Sequence, residues 1–289
     1  MKTTPRLYDN ILTSHLAEFR QMAFVSGPRQ TGKTTSCRQC ASHYLSWDIL
    51  EDQRVILKGP LSLSDRLELD RPRSNRPIVV LDELHKYSKW KSFLKGFYDG
   101  YGDKIQILVT GSSRLDIYRK GGDSLMGRYF LYRMHPFSTG EIARTEGRNT
   151  PIAKALEISA SDWEALWTFG GFPEPFLNRN ARFSQRWQSL RMQQFTKEDL
   201  REMTHVQELG SIEVLAHILA ERSGQQVILS SLANETNVSV DTISRWLTLF
   251  EHMHYGFLLR PWFKDIANSL RKEPKWFLRD WSAIADPGQ

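Results

Sequence analysis

The chain has 289 residues, of which 40% are hydrophobic and 25% charged, an ordinary balance for a globular protein. That length allows one large core plus one or two small domains, and no apolar run approaches the roughly 20 residues of a membrane span. A net charge of +6 and a pI near 9.3 point to a polyanionic partner. The first twenty residues are polar and interrupted by Pro5, Asp9 and Glu18, so no signal peptide is visible and a cytoplasmic location is the default expectation.

The apolar run Met22-Ala-Phe-Val25 reads as a buried strand. It leads into Gly27, Pro28, Arg29, Gln30, Thr31, Gly32, Lys33 and Thr34, which fit the phosphate-binding pattern G-x-x-x-x-G-K-[S/T] at every fixed position. From Thr34 and Thr35 onward the chain can be helical. A strand, a glycine-rich loop and a helix start place several backbone N–H groups around a β/γ-phosphate. Lys33 then acts as a point charge between the β- and γ-phosphates. The stretch implies a bound nucleoside triphosphate.

Cys37 and Cys40 are the only cysteines, and their C-x-x-C spacing with His43 nearby invites a redox or zinc reading. They lie on the helix after the loop with no obvious fourth ligand. Two reduced thiols packed under that helix are the favoured alternative.

Further strands are expected at 44–49, 78–81, 105–110 and 129–134, with a turn-rich entry at 71–77. Alternation with amphipathic segments argues a mainly parallel sheet covered on both faces. Ile78-Val-Val-Leu-Asp82-Glu83 places two carboxylates at the C-terminal end of a buried strand, where open parallel sheets bind ligands. Asp82, with the Thr34 hydroxyl, would hold a Mg²⁺ shell. Glu83 would orient or deprotonate the attacking water. The next strand ends in Thr110, Ser112 and Arg114, candidates for contacting the γ-phosphate or the water; a plain Gly-Ser turn is the competing reading. Arg128 opens the following strand, either as an arginine finger in cis or from a neighbour, or as a surface residue. Small-molecule kinases also carry such loops, but an acid pair directly ending the third strand favours attack by water.

Beyond about 151 the strand pattern stops. Segments 161–169 and 182–195 look helical, separated by Gly170-Gly-Phe-Pro-Glu-Pro175. Three amphipathic helices follow at 212–222, 230–236 and 240–253, with breaks at Gly224 and Asn237. Leu232, Ala233, Val238, Ile243, Trp246 and Leu247 have the spacing of a helix-turn-helix core. The segments 256–261 and 275–278 could pair as strands, which would make the module winged.

Several stretches in order resemble one family. They are Gly27-Pro-Arg-Gln-Thr-Gly-Lys-Thr-Thr35, Asp82-Glu-Leu-His-Lys-Tyr-Ser-Lys-Trp90, Leu108-Val-Thr-Gly-Ser-Ser113, Ser124-Leu-Met-Gly-Arg128, His135-Pro-Phe-Ser138, Glu141 and Gly170-Gly-Phe-Pro173. The chain resembles bacterial and archaeal P-loop ATPases of the AAA+ superfamily, similar in their core to signal-transduction ATPases, in which the core precedes a domain of unknown function. The resemblance implies ATP rather than GTP, a sensor-like role for 110–113, and a functional place for Gly127-Arg128. Residues 232–247 resemble the family's winged-helix segment. Residues 274–280 resemble the strand beginning a further, nuclease-like portion, of which little follows before Gln289.

The expected fold class is α/β: a three-layer αβα P-loop NTPase core at 1–150, a helical lid at 151–205, a winged helix-turn-helix domain at 206–264, and the start of a largely absent C-terminal domain at 265–289. DNA is a candidate partner. The helix at 240–253 carries Arg245 against Asp241 and Glu251, a poor phosphate binder. Arg260, Lys264, Arg271, Lys272, Lys275 and Arg279, interleaved with Trp262, Phe263 and Trp276, suit a nucleic-acid backbone better. The expected function is Mg²⁺-dependent ATP hydrolysis coupled to movement of the winged-helix region. The rivals are a slow-hydrolysing switch read by a protein partner, and a DNA-binding module with ATP-controlled assembly. A second copy of the chain is a further candidate partner.

Overall fold

The computed structural model describes residues 4–112, 125–143, 156–200, 209–262 and 272–283. The chain divides into two compact units, Met1–Glu157 and Ile158–Gln289.

The apolar runs of the first unit are short and continuous, as strands covered on both faces must be. Met22–Ser26 (β1), His43–Ser46 (β2), Ile78–Asp82 (β3), Gln106–Thr110 (β4) and Tyr129–Arg133 (β5) form one five-stranded sheet in the order β2-β3-β4-β1-β5. Every pairing is parallel. Successive side chains go to opposite faces. Met22, Phe24, Val79, Leu81, Ile107 and Val109 meet one helical layer: Leu50–Leu57 (α3), Pro60–Arg66 (α4) and Trp90–Tyr101 (α5). Ala23, Val25, Val80 and Leu108 meet the other, built from Leu7–Glu18 (α1) and Lys33–Cys40 (α2) through Leu12 and Cys37. This is the three-layer αβα core expected. Phe93, Leu94 and Phe97 of α5 are buried, each contributing about 2 kcal/mol of apolar transfer.

Strand β2 ends three residues earlier than expected. The Asp52 carboxylate accepts the N–H of Ser46 at 2.8 Å and turns the chain, leaving Ile49 exposed as the cap of α3. Strands β1 and β4 are neighbours whose onward connections diverge, β1 towards β2 and β4 towards β5. Ligands of open α/β sheets bind at the carboxyl ends of strands at such a point.

The short helix Thr139–Ile142 (α6) belongs to the first unit; in the second unit, Ala160–Phe169 (α7), Pro173–Asn178 (α8) and Ala181–Gln194 (α9) precede three helices, Leu209–Glu221 (α10), Leu229–Thr236 (α11) and Val240–His252 (α12). Asn237, at φ 54°, ends α11, and the Ser239 hydroxyl caps α12 by accepting the Thr242 N–H at 3.2 Å. Gly256–Leu259 (β6) then pairs antiparallel with Lys275–Leu278 (β7). From Ile158 onward, the described parts of the expected 151–205, 206–264 and 265–289 segments share this unit. The Trp281 indole N–H donates to the Trp167 carbonyl at 3.1 Å, and Phe195 stacks on Tyr255 at 4.5 Å. Gly170 has no room for a Cβ, which would lie 2.5 Å from Asp280 Oδ1, and the next N–H, of Gly171, donates to that oxygen at 2.9 Å. Among the described residues no helix is long and apolar enough to cross a membrane.

Candidate nucleotide-binding site

The loop between β1 and α2 sits at the carboxyl end of the sheet. Gly27 is required there by close approach, because a Cβ would fall 2.1 Å from the carbonyl oxygen of Met134 at the end of β5. Gly32 caps α2 with a left-handed φ of 93°. Lys33 is buried and its Nζ donates to the carbonyls of Gly27 and Pro28 at 3.0 and 2.6 Å, which centres a positive charge within the loop. Thr31 is buried, its hydroxyl donating to the Pro28 carbonyl at 3.0 Å. Pro28 is also buried, Arg29 and Thr34 are half-buried, and Gln30 and Thr35 are exposed.

Register brings Asp82 of β3 beside Thr110 of β4, which in turn lies beside Val25 of β1. Asp82 accepts three hydroxyls. Thr34 Oγ1 reaches Oδ2 at 3.1 Å, Tyr44 Oη reaches the same oxygen at 2.5 Å, and Thr110 Oγ1 reaches Oδ1. The expected pairing of Thr34 with Asp82 is therefore present in the geometry. Tyr44 is a member that sequence reasoning missed. Burial and then the Asp82 hydrogen bond push its phenol up to about 12, so it stays a donor at neutral pH. The Arg38 guanidinium lies 3.7 Å from its ring centroid.

Glu83 leaves the strand in a left-handed conformation, φ 55°, its N–H donating to the Thr110 carbonyl at 3.0 Å. Non-glycine residues held this way concentrate at functional sites. Burial pushes its carboxyl up, opposed by Lys86 and Lys33. Its Oε2 lies 3.4 Å from Lys86 Nζ and 3.7 Å from His85 Nε2, and Lys86 is also held by Asp48 at 2.7 Å. His85 Nε2 in turn meets Ser112 Oγ at 3.1 Å, linking the end of β4 to the Glu83 turn.

Two expectations change. Thr110 is fully buried with its hydroxyl on Asp82, so it braces that carboxylate rather than facing a phosphate or water. Arg128 precedes β5 beside Met22, the first residue of β1, whereas the loop follows the last residue, Ser26. Four residues of strand, roughly 13 Å, separate those ends, and Arg128 is bound to Asp99 at 2.7 Å. This placement argues against the arginine finger in cis. Arg114 lies outside the described residues, as do Ser113 and Ser124. Cys37 packs against the sheet with its thiol pushed up by burial, so it is no thiolate.

A strand, a phosphate loop of this geometry and a carboxylate at the end of β3 together define an α/β P-loop NTPase-like fold. A family model described as an AAA domain matches residues 19–143, and one described as a domain of unknown function matches residues 160–285. Two uncharacterized proteins, from Mycobacterium tuberculosis and Mycobacterium bovis, are each 24% identical over 269 residues, covering 90% of this chain and 54% of theirs. The chain thus spans about half the length of the curated relatives it matches. Among solved structures it is similar to AMPPCP-bound DnaA from Aquifex aeolicus, at 11% identity, covering 87% of this chain and 89% of that one, with a TM-score of 0.38. It is also similar to C. elegans PCH-2, at 16% identity, covering 47% and 44%, with a TM-score of 0.34. The fold assignment rests on the strand order and the loop rather than on these distant likenesses. The loop geometry and the AAA-domain match support ATP binding and hydrolysis by the first unit.

Proposed function

We propose that the chain is a Mg²⁺-dependent ATPase of AAA type whose nucleotide state is coupled to its helix-turn-helix unit. The observation that carries this reading is the Thr34–Asp82 hydrogen bond at 3.1 Å beside a lysine centred in a phosphate loop. A hydroxyl and a carboxylate are hard oxygen donors, the set Mg²⁺ prefers. Thr34 and Asp82 would hold the ion, which would supply neutralisation of phosphate charge. Lys33 would exchange its loop-carbonyl acceptors for phosphate oxygens. Glu83 would accept the proton of the attacking water, its raised affinity for protons suiting that role. Ser112, tied to His85, would report the state of the site to the end of β4.

The test is Glu83→Gln. It should bind ATP as the parent does and lose hydrolysis, read by fluorescent-nucleotide binding and phosphate release; normal hydrolysis would remove the base assignment. A finger from Arg128 would have to come from a neighbouring copy, and turnover per chain independent of protein concentration argues against it.

The partner of the second unit is read from its surface. Trp276, counted among the aromatics of a nucleic-acid face, is fully buried, and a Cβ on Gly256 would lie 2.2 Å from its ring. Lys264, Phe263 and Arg271 lie outside the described residues. Trp262 is 82% exposed, and Lys272, Lys275 and Arg279 are exposed. We read α10 to α12 with the β6–β7 ribbon as a winged helix that meets DNA through its ribbon. The outward face of α12, with Asp241, Ser244, Arg245 and Thr248, is near neutral and favours the rival reading of a switch recognised by a protein. Strong stimulation of turnover by DNA supports the first; slow turnover with tight ATP retention and no DNA effect supports the second.

A further inference from the structure

The phosphate loop is held from outside its own motif. The guanidinium of Arg6, which caps α1, donates through Nη1 to the carbonyl of Thr31 and through Nη2 to the carbonyl of His135 at 2.7 Å. Its Nε and Nη2 donate to the two Glu141 oxygens at 2.7 and 3.2 Å, and Glu141 also accepts the N–H of Leu7 at 2.9 Å. The two side chains are only 5% and 7% exposed. The guanidinium carbon lies 4.4 Å from the centroid of the Phe137 ring. One side chain thus ties together the start of α1, the middle of the loop and the segment after β5.

A buried ion pair is a poor way to add stability, since desolvation offsets most of its attraction. What it supplies here is direction. A trans peptide is planar, so its carbonyl and the following N–H point opposite ways. With the Thr31 carbonyl drawn to Arg6, the N–H of Gly32 is turned away from Arg6, as a phosphate cradle requires of its N–H groups. The loop has left-handed or otherwise positive φ at Gly27, Gln30 and Gly32, a conformation with little local preference to hold that peptide unaided.

We propose that Arg6 is a positioning residue for the phosphate loop: it fixes the Thr31–Gly32 peptide so that the Gly32 N–H is presented to the phosphate chain, with Glu141 holding the guanidinium in place. The proposal rests on the nucleotide-binding reading of the loop and adds to it a residue that no motif contains.

The experiment measures mant-ATP affinity and amide hydrogen exchange of the loop in the full chain, for the parent, Arg6→Met, Glu141→Gln and Leu12→Ala. Leu12 is buried on α1 and packs on the sheet, so Leu12→Ala loosens the same helix without touching the loop. Arg6→Met should weaken mant-ATP by about ten-fold, the loss expected of a charge-assisted bond, and speed exchange across residues 28–33. Glu141→Gln should weaken it by about three-fold on the same scale. Leu12→Ala should lower the melting temperature and leave affinity within about two-fold, because Leu12 belongs neither to the loop nor to the Arg6–Glu141 pair. Parent-like affinity in Arg6→Met overturns the proposal, and so does an equal loss in Leu12→Ala. Should Arg6→Met fail to fold, Arg6→Lys and Glu141→Gln decide it: weakened binding by both folded variants supports the proposal, and parent-like binding by both overturns it. If the parent binds no nucleotide, the ATP reading fails; the exchange rates, taken without nucleotide, still tell whether Arg6 orders the loop.

Discussion

Each unit buries an aspartate, and the partners of the two differ in kind. Asp82 accepts three hydroxyls, from Thr34, Tyr44 and Thr110, which reach it from α2, β2 and β4. Asp280 accepts the backbone N–H of Gly171 and the hydroxyl of Ser282. A hydroxyl is both donor and acceptor and can rotate, so a carboxylate ringed by hydroxyls can take a cation without leaving a buried donor stranded. A backbone N–H cannot turn away. Asp82 therefore has the environment of a working group and Asp280 that of a peg, holding the Gly170-Gly171 turn against the stretch that follows β7. Burial without chemistry also shows in proton affinity: desolvation pushes the Asp280 carboxyl up, opposed by Ser282, Gly171 and Arg191.

The largest effect should separate the two directly. Asp82→Asn keeps the shape and removes the charge that would hold the ion, so Mg²⁺-dependent turnover should fall by about a hundred-fold or more while the melting temperature barely moves. A variant that melts far below the parent would make Asp82 a second peg. Asp280→Ala should do the reverse. It strands the buried Gly171 N–H and removes the acceptor of the half-buried Ser282 hydroxyl, costing the second unit about 2 kcal/mol, with mant-ATP affinity unchanged. Urea melts followed by tryptophan fluorescence check the first half, and binding titrations the second.

A pH series sharpens the same contrast. The folded unit binds the Asp280 proton more tightly than the unfolded chain, whose carboxyl has its ordinary value of 3.8. The contribution of this group to stability is therefore full below that value and is lost as pH rises from there through the raised folded value. Urea melts taken upward from about pH 4 should show stability of the second unit falling across that window, and Asp280→Asn should flatten the slope. An unchanged slope in the variant would show that another group carries it.

How legible these environments are in the sequence differs between the units. The sheet was readable because its strands are covered on both faces: Met22–Ser26, Ile78–Asp82 and Gln106–Thr110 are continuous apolar runs with small or acidic ends. The loop and the acid after it were readable because spacing along the chain fixes them. Arg6, Tyr44 and His85 were not, because each acts through a partner far away in sequence, Thr31, Asp82 and Ser112, and only strand order brings them together. Arg128 shows the converse. A Gly-Arg pair opening a strand looks functional, yet a parallel neighbour places it at the end of the sheet away from the loop. The DNA argument weakened for a related reason: Trp276 alternates among cations in sequence, but β7 turns it inward, between exposed Lys275 and half-buried Phe277.

The smallest effect is the most specific test of the hydroxyl ring. Tyr44→Phe removes one of two donors to Asp82 Oδ2 and leaves Thr34 in place. The lost bond is worth about 1 kcal/mol net, and the aromatic ring that Arg38 lies against is kept, so the fold should be unaffected. If Tyr44 orients the carboxylate for the ion, half-maximal turnover should need a few-fold more Mg²⁺, about five-fold by that energy, with the saturating rate nearly unchanged. If instead the phenol competes with the ion for Oδ2, the requirement should fall by a similar factor. Either direction ties Tyr44 to the Asp82 site. An identical Mg²⁺ dependence would leave Tyr44 as packing alone, and the distinction between the two aspartates would then rest on Thr34 and Thr110.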